Sequence, residues 1–219
     1  MITIDQEGGR VQRLRRPTWR ELVPPLDFIT AAGNNAQRAK YLRHCIIAHE
    51  LRDIGIDSNC APMVNVANTE THPFLCNCCY GTDVLTVAAM GCAVADGLLD
   101  GGVLPVVKHI LGHDRATADS HFDLSKVDAP RDSLDILGFS PFKALDDLPM
   151  GMTAHLVYTE IDEAPATFSK TVMDIIRMDI EFDGVIMTDD ISMKALSGDL
   201  GTLSQASIEA GCDVILHCN

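Results

Sequence analysis

Short apolar runs rich in β-branched residues recur along the chain, at residues 1–4, 56–66, 103–110, 151–157, 184–188 and 212–217. They are apolar on both faces rather than alternating, so each reads as a buried parallel strand. Pro62 interrupts the second run, which should be partly irregular. Between the runs the period changes to that of a helix. Ala39, Leu42, Ile46 and Leu51 recur at helical spacing behind a capping pair, Asn34 and Asn35, and Gly55 stops the pattern. Asp83 opens another helix through Val87 and Val94 to Gly101 and Gly102, and Ser169 caps a third over residues 172–180 that ends near Gly184.

Strand and helix in alternation predict an α/β fold with a parallel sheet and right-handed crossovers. The expected architecture is a TIM-like (β/α) barrel that is incomplete, with about six of its eight strands present. Its 219 residues fall short of the about 250 typical of a closed barrel. No repeat, low-complexity segment or linker divides the chain. Residues 1–219 are therefore expected to form one domain, truncated at both ends by one strand–helix unit before Met1 and another after Asn219.

Composition narrows the function. The chain is 47% hydrophobic and 22% charged, as ordinary globular domains are. Lys and Arg number 17 against 31 Asp and Glu, a net charge of −14 with no basic stripe, which argues against a nucleic-acid partner. A neutral or locally steered small molecule is the expected ligand. Eight cysteines follow no disulfide framework, and Cys76-Asn77-Cys78-Cys79 is too tightly spaced for a zinc knuckle, so neither a metal nor a cofactor is expected. The start of the chain lacks the charged, apolar and cleavage regions of a secretory leader, and no run of about 18 apolar residues is present to cross a membrane. These features predict a cytoplasmic protein with no membrane partner.

The candidate chemistry follows the strands. Parallel α/β folds gather function at the carboxyl ends of their strands. Asp5 and Glu7 follow the first run, Lys108 and His109 close the third, His155 follows Met152-Thr153-Ala154, and Asp189 and Asp190 follow Ile186-Met187-Thr188. Four strands thus deliver ionisable groups to one rim, and an apolar core would not hold them unpaired. After Lys108-His109 comes a Gly/His-rich loop in which Asp119 and His121 stand two apart, close enough for the carboxylate to fix the imidazole's tautomer and favour its protonated form.

At these residues the chain resembles the bacterial β-N-acetylglucosaminidases of glycoside hydrolase family 3. The resemblance rests on three stretches: Ile4-Asp5-Gln6-Glu7-Gly8-Gly9-Arg10-Val11-Gln12-Arg13; Lys108-His109, Gly112-His113 and Arg115-Ala116-Thr117-Ala118-Asp119-Ser120-His121; and Gly184-Val185-Ile186-Met187-Thr188-Asp189-Asp190-Ile191-Ser192-Met193. It implies a glycoside hydrolase catalytic domain that removes terminal N-acetylglucosamine from a small saccharide or muropeptide during cell-wall recycling. By the same resemblance Asp189 is the nucleophile, His121 the acid/base and Asp119 the residue that holds it, while Asp5, Arg13, Lys108 and His109 bind the sugar. A carboxylate nucleophile splits one difficult displacement into two through a covalent intermediate, and an imidazole titrates near neutrality, where proton donation and return are both efficient.

The chain also departs from that family. Leu111 and Asp114 stand where relatives carry Pro and Gly, and Cys78 stands where they place a sugar-binding Arg ahead of the aromatic-Gly pair Tyr80-Gly81. A thiol cannot make the charge-assisted contact of a guanidinium. Two other readings remain open on sequence alone: a Schiff-base lyase using Lys108, and a degenerate or incomplete barrel that binds sugar weakly without catalysis.

Overall fold

The computed structural model describes residues 1–68, 71, 76–112 and 124–218. Its centre is a five-stranded parallel sheet. In spatial order the strands are β1 (Thr3–Ile4), β4 (Ser58–Asn59), β5 (Leu104–Ile110), β7 (Met150–Thr153) and β9 (Val185–Met187), which is also their chain order. Pairing registers run Thr3↔Ser58, Asn59↔Pro105, Val106↔Met150 and Gly151↔Ile186. The sixth expected strand is represented by a parallel bridge, Met187↔Val214. Met63↔Lys108 makes another bridge, so the run broken by Pro62 rejoins the sheet after it.

Two small pairs lie outside this sheet. Strands β2 (Gln6–Gly8) and β3 (Val11–Gln12) form a hairpin, and β6 (Ser125–Val127) pairs with β8 (Leu156–Tyr158) in parallel. The hairpin turns on Gly8 and Gly9, whose φ values of 115° and 60° lie in the region where side chains are strained.

The longer helices are α1 (Pro25–Ala32), α2 (Ala36–Asp53), α3 (Val84–Asp100), α4 (Lys170–Met178) and α5 (Leu200–Ala210), with a further helical stretch over residues 131–143; α3 packs on β5, and α2 packs on α3. Asp83 caps α3 by accepting from Thr86 N, and Ser169 caps α4 by accepting from Val172 N, as their positions predict. Helices α2 and α3 approach so closely that a Cβ on Gly97 would strike the Tyr41 carbonyl. Asn35 gives α2 no side-chain cap; a short 3₁₀ turn leads into the helix instead.

The buried face of α2 corrects the sequence expectation. Leu42 and Ile46 are exposed, and the side chains turned inward are Ala36, Lys40, Arg43, His44, Ile47, Ala48 and, as expected, Leu51. Three of those seven are basic or imidazole groups.

Strand parity separates two apolar layers. Val107 and Ile186 pack towards the helices with Ile47, Leu51, Val94 and Leu98. Cys60, Val106, Met150, Met152 and Met187 pack on the opposite face with Val214 and Leu216. Lys108 is two residues beyond Val106, and Asp189 two beyond Met187. Asp5 is two beyond Thr3, whose hydroxyl meets the Cys60 thiol at 3.5 Å. The period-2 pleat therefore sends all three charged side chains to the face away from the helices, at the carboxyl ends of their strands.

Candidate active site

Lys108 is the centre of the site. Its Nζ lies 2.8 Å from Asp5 Oδ1 and 2.6 Å from Glu7 Oε1. Both are charge-assisted contacts in a setting nearly closed to water. The backbone that carries the two carboxylates is held in turn by Asn59, whose Oδ1 accepts from Gln6 N at 2.9 Å and whose Nδ2 donates to Gln6 O at 3.1 Å. Gln6 Oε1 accepts from Arg13 N and Leu14 N, which fixes the returning arm of the hairpin. Arg13 then reaches Asp5 Oδ2 at 3.4 Å with most of its side chain in solvent.

The charges follow from this arrangement. Burial opposes ionisation of Asp5, but Lys108 and then Arg13 outweigh it and hold its carboxyl below the usual 3.8. Burial also opposes the charged form of Lys108, yet the Asp5 and Glu7 carboxylates overcome it and raise the ammonium well above 10.5. Glu7 is only 2% exposed, and burial pushes its carboxyl above 4.5 against the pull of Lys108. Behind Glu7 stands Lys40, fully buried, its Nζ 3.9 Å from the centre of the Tyr80 ring. Arg43 Nη2 donates to the Glu7 carbonyl at 2.7 Å. The inward cations of α2 thus underlie the carboxylate–lysine cluster.

The two consecutive acids after β9 are placed differently. Asp190 Oδ1 accepts from Ser192 N at 2.9 Å, Ser192 Oγ at 2.7 Å and Cys218 N at 3.2 Å. Burial works against its charge, but these hydrogen bonds keep its carboxyl below 3.8. Asp189 is only lightly committed. Its Oδ1 accepts from Asp190 N at 2.8 Å, and its Oδ2 lies 3.9 Å from His109 Nε2 with the side chain 21% exposed. One thiol joins the two halves of the site: Cys218 feels, after burial, the charges of Asp190, Asp5, Asp189 and Arg13.

The structure therefore brings Asp5, Arg13, Lys108, His109 and Asp189 to one rim. Asp119 and His121, like His113 and Asp114, lie outside the described residues. Among the described residues no group of three or more His, Cys, Asp and Glu is arranged to hold a metal ion, and no helix is long and apolar enough to cross a membrane.

Residues 1–219 match the N-terminal domain of glycosyl hydrolase family 3. The chain belongs to that family. A β-hexosaminidase of Bordetella avium is 36% identical over 233 residues, covering 100% of this chain and 65% of that protein. One from Alkalilimnicola ehrlichii is 33% identical over 227 residues with the same coverage, 100% and 65%. NagZ from Neisseria gonorrhoeae, solved in complex with N-trifluoroacetyl-D-glucosamine, superposes with a TM-score of 0.91 at 30% identity, covering 100% of this chain and 65% of that one. A family 3 β-N-acetylglucosaminidase from Paenibacillus gives a TM-score of 0.90 at 34% identity over 99% of this chain and 42% of its own. This family 3 chain thus spans 65% of the length of the two β-hexosaminidases.

Within the family frame, Cys78 sits at the site itself. It is 5% exposed, and its thiol is pushed up to about 12 by burial and then by Glu7, with Lys108, Arg10 and Asp5 also acting on it. Glu7, Lys40 and His155 are the participants that sequence reasoning gave no role. Glu7 and His155 stood at strand ends, a usable signal; Lys40 in a helix carried none.

Proposed function

We propose that this chain is the catalytic portion of a retaining exo-β-N-acetylglucosaminidase built on a (β/α) barrel, acting on N-acetylglucosamine-containing saccharides such as cell-wall muropeptides. The observation that carries this reading is the unequal state of the two acids. Asp190 Oδ1 accepts from Ser192 N, Ser192 Oγ and Cys218 N, whereas Asp189 accepts one hydrogen bond among the described residues, at Oδ1, and its Oδ2 lies 3.9 Å from His109 Nε2 on the rim that holds Asp5 and Lys108. Five parallel strands in chain order, with a sixth bridge, support the barrel.

In this reading Asp189 Oδ2 attacks the anomeric carbon as the bond to the leaving oxygen breaks. That oxygen takes a proton from His121, which Asp119 orients. Water then attacks the glycosyl–Asp ester and gives its proton back to His121, freeing Asp189. Lys108 has three N–H donors, of which Asp5 and Glu7 take two, leaving one for a sugar hydroxyl. Asp5 accepts from sugar hydroxyls, and Arg13 and His109 donate to them. A Schiff-base role for Lys108 is disfavoured, because an ammonium clamped by two carboxylates has no lone pair to attack a carbonyl.

The test is to incubate the chain with 5-fluoro-N-acetylglucosaminyl fluoride and map the adduct by peptide mass spectrometry. One glycosyl group on Asp189, absent from Asp189→Asn, is expected. Modification elsewhere, or none on either this chain or the same domain carried within a longer protein, refutes the nucleophile. Mapping Asp119 and His121 variants against a chromogenic β-N-acetylglucosaminide then tests the proton-transfer pair.

A further inference from the structure

His155 follows β7 and is buried, yet its ring touches the backbone that bears the reacting carboxylate. His155 Nε2 lies 3.0 Å from the Asp190 carbonyl oxygen, and Nδ1 lies 2.9 Å from Thr167 Oγ1. A carbonyl oxygen can only accept, so Nε2 carries a hydrogen. In a neutral ring Nδ1 then offers a lone pair. The Thr167 hydroxyl has one hydrogen and three neighbours: His155 Nδ1, Thr153 Oγ1 at 3.0 Å and the Ala154 carbonyl at 3.1 Å. Sending that hydrogen to Ala154 would leave two lone pairs facing each other across 2.9 Å. In a neutral ring the order is therefore Thr153 donating to Thr167, Thr167 donating to Nδ1, and Nε2 donating to Asp190; with a second hydrogen on Nδ1, that hydrogen goes to Thr167 and Thr167 donates to the Ala154 carbonyl, and in both orders Nε2 donates to Asp190. Phe168, stacked on the imidazole at 6.4 Å and 16°, keeps the ring in the required plane.

Asp190 is thereby held on three sides. Its N–H donates to the Asp189 carboxylate, its carbonyl accepts from His155 and from Met193 N at 3.1 Å, and its own carboxylate ties to Ser192 and Cys218. We propose that His155, whose Nε2 carries a hydrogen towards the Asp190 carbonyl, is a positioning residue that fixes the Asp190 peptide and through it aims the Asp189 carboxylate at its substrate. The inference rests on Asp189 being the nucleophile, but the clamp itself stands on the hydrogen bonds alone.

Geometry distinguishes this from generic packing. A glutamine at this position carries its amide nitrogen near where Nε2 stood, whereas an asparagine reaches only to Nδ1. On the full chain, long-range ¹H–¹⁵N spectra of histidine-labelled protein should show a hydrogen on His155 Nε2, its signals assigned by their loss in H155Q. The rate of 5-fluoroglycosyl labelling of Asp189 should fall about tenfold to a hundredfold in H155N, the range expected for losing one buried hydrogen bond, with saccharide affinity unchanged within about threefold. H155Q should recover most of that rate. Amide exchange at Asp190 should quicken in H155N and not in H155Q. T167V, which keeps the ring but removes its donor, should lower the labelling rate about threefold to tenfold and mix the tautomers. An Nδ1–H tautomer, or equal labelling and exchange in H155Q and H155N, overturns the clamp. If the unmodified chain is not labelled at Asp189, the nucleophile reading fails, and the tautomer and Asp190 exchange still decide the clamp.

Discussion

Lys40 and Lys108 are both buried, both border Glu7, and should respond differently to the same change, Lys→Met. Methionine nearly conserves the length of the stem, so the comparison isolates the ammonium. Removing it from Lys108 strands two carboxylates. Asp5 keeps Arg13 at 3.4 Å and partial access to water, but Glu7 is 2% exposed and loses its 2.6 Å partner. Breaking a buried ion pair from one side costs about 3–5 kcal/mol. Lys40 is another matter. Its Nζ has no hydrogen-bond partner among the described residues, and burial and then Arg43 depress it well below 10.5. Its replacement forfeits a cation–π contact with Tyr80 of about 2 kcal/mol when desolvated, but relieves a buried cation, so the net change should stay within about 1 kcal/mol of zero. Urea unfolding at pH 7, followed by circular dichroism, reads both. The pH dependence supplies a second check. A folded-state value raised above the unfolded one means stability that is full below the unfolded value and lost as pH rises. For Lys108 in the unmodified chain that loss begins above 10.5, and it should be absent from Lys108→Met. In that variant the Glu7 carboxyl should rise further above 4.5, so its deficit should narrow as the pH falls from 7 towards 4.5. A loss under about 1 kcal/mol for Lys108→Met, or over about 3 kcal/mol for Lys40→Met, would contradict the account of the cluster.

Three further outcomes follow from the geometry. Asp189→Asn should change the unfolding free energy by less than about 1 kcal/mol, since the carboxylate is partly exposed and among the described residues accepts one hydrogen bond, from its neighbour's amide, beside a 3.9 Å contact with His109, while glycosyl labelling disappears; a large stability loss would mean the residue is structural. Arg13→Ala should alter stability by less than about 0.5 kcal/mol, because its ion pair is exposed, yet weaken saccharide binding by calorimetry; unchanged affinity removes Arg13 from the site. Gly97→Ala should cost about 1–3 kcal/mol in thermal or urea unfolding, because its methyl would strike the Tyr41 carbonyl across the α2–α3 contact, and a neutral result would show that these helices can part.

The strands were legible because a short run that is apolar on both faces demands cover on both sides, which a central parallel strand receives, and their chain order became their spatial order. The site's outline was legible for a related reason: Asp5, Lys108 and Asp189 each stand just past or within a parallel strand's carboxyl end, where the pleat fixes their direction. Helix α2 was misread on the same logic. Apolar spacing selected Ala39, Leu42, Ile46 and Leu51; Leu51 is buried as expected, but Leu42 and Ile46 face out, and the inward stripe holds Lys40, Arg43 and His44. A binary pattern cannot signal a polar stripe whose partners arrive from elsewhere, here Glu7 and Tyr80. The contacts of His155 were invisible for the same reason, since Thr167 and Asp190 come from different segments. Helices α1 and α5 were not anticipated either; α1 begins with proline at its first position, and α5 depends on the Asp199 cap.

The contrast between Asp189 and Asp190 links fold to chemistry. A carboxylate that must bond to carbon needs an oxygen free of strong donors, yet it must also point in one direction, and one side chain cannot supply both conditions. Here its neighbour supplies the second. Asp190 commits its carboxylate to Ser192 and Cys218, its carbonyl to His155 and Met193 and its amide to Asp189, so the position bearing most of the hydrogen bonds is the one that the proposed reaction leaves without a bond to carbon. Lys108 and Glu7 repeat the division: Glu7 is sealed and spends its oxygen on the ammonium, leaving the more exposed Asp5 to face a ligand. In both pairs one group absorbs the electrostatic and geometric demands of the other. Such groups stand outside the reaction itself, so a scan for nucleophiles and sugar ligands passes over them, while their loss should mislead about the chemistry by moving the residues that perform it.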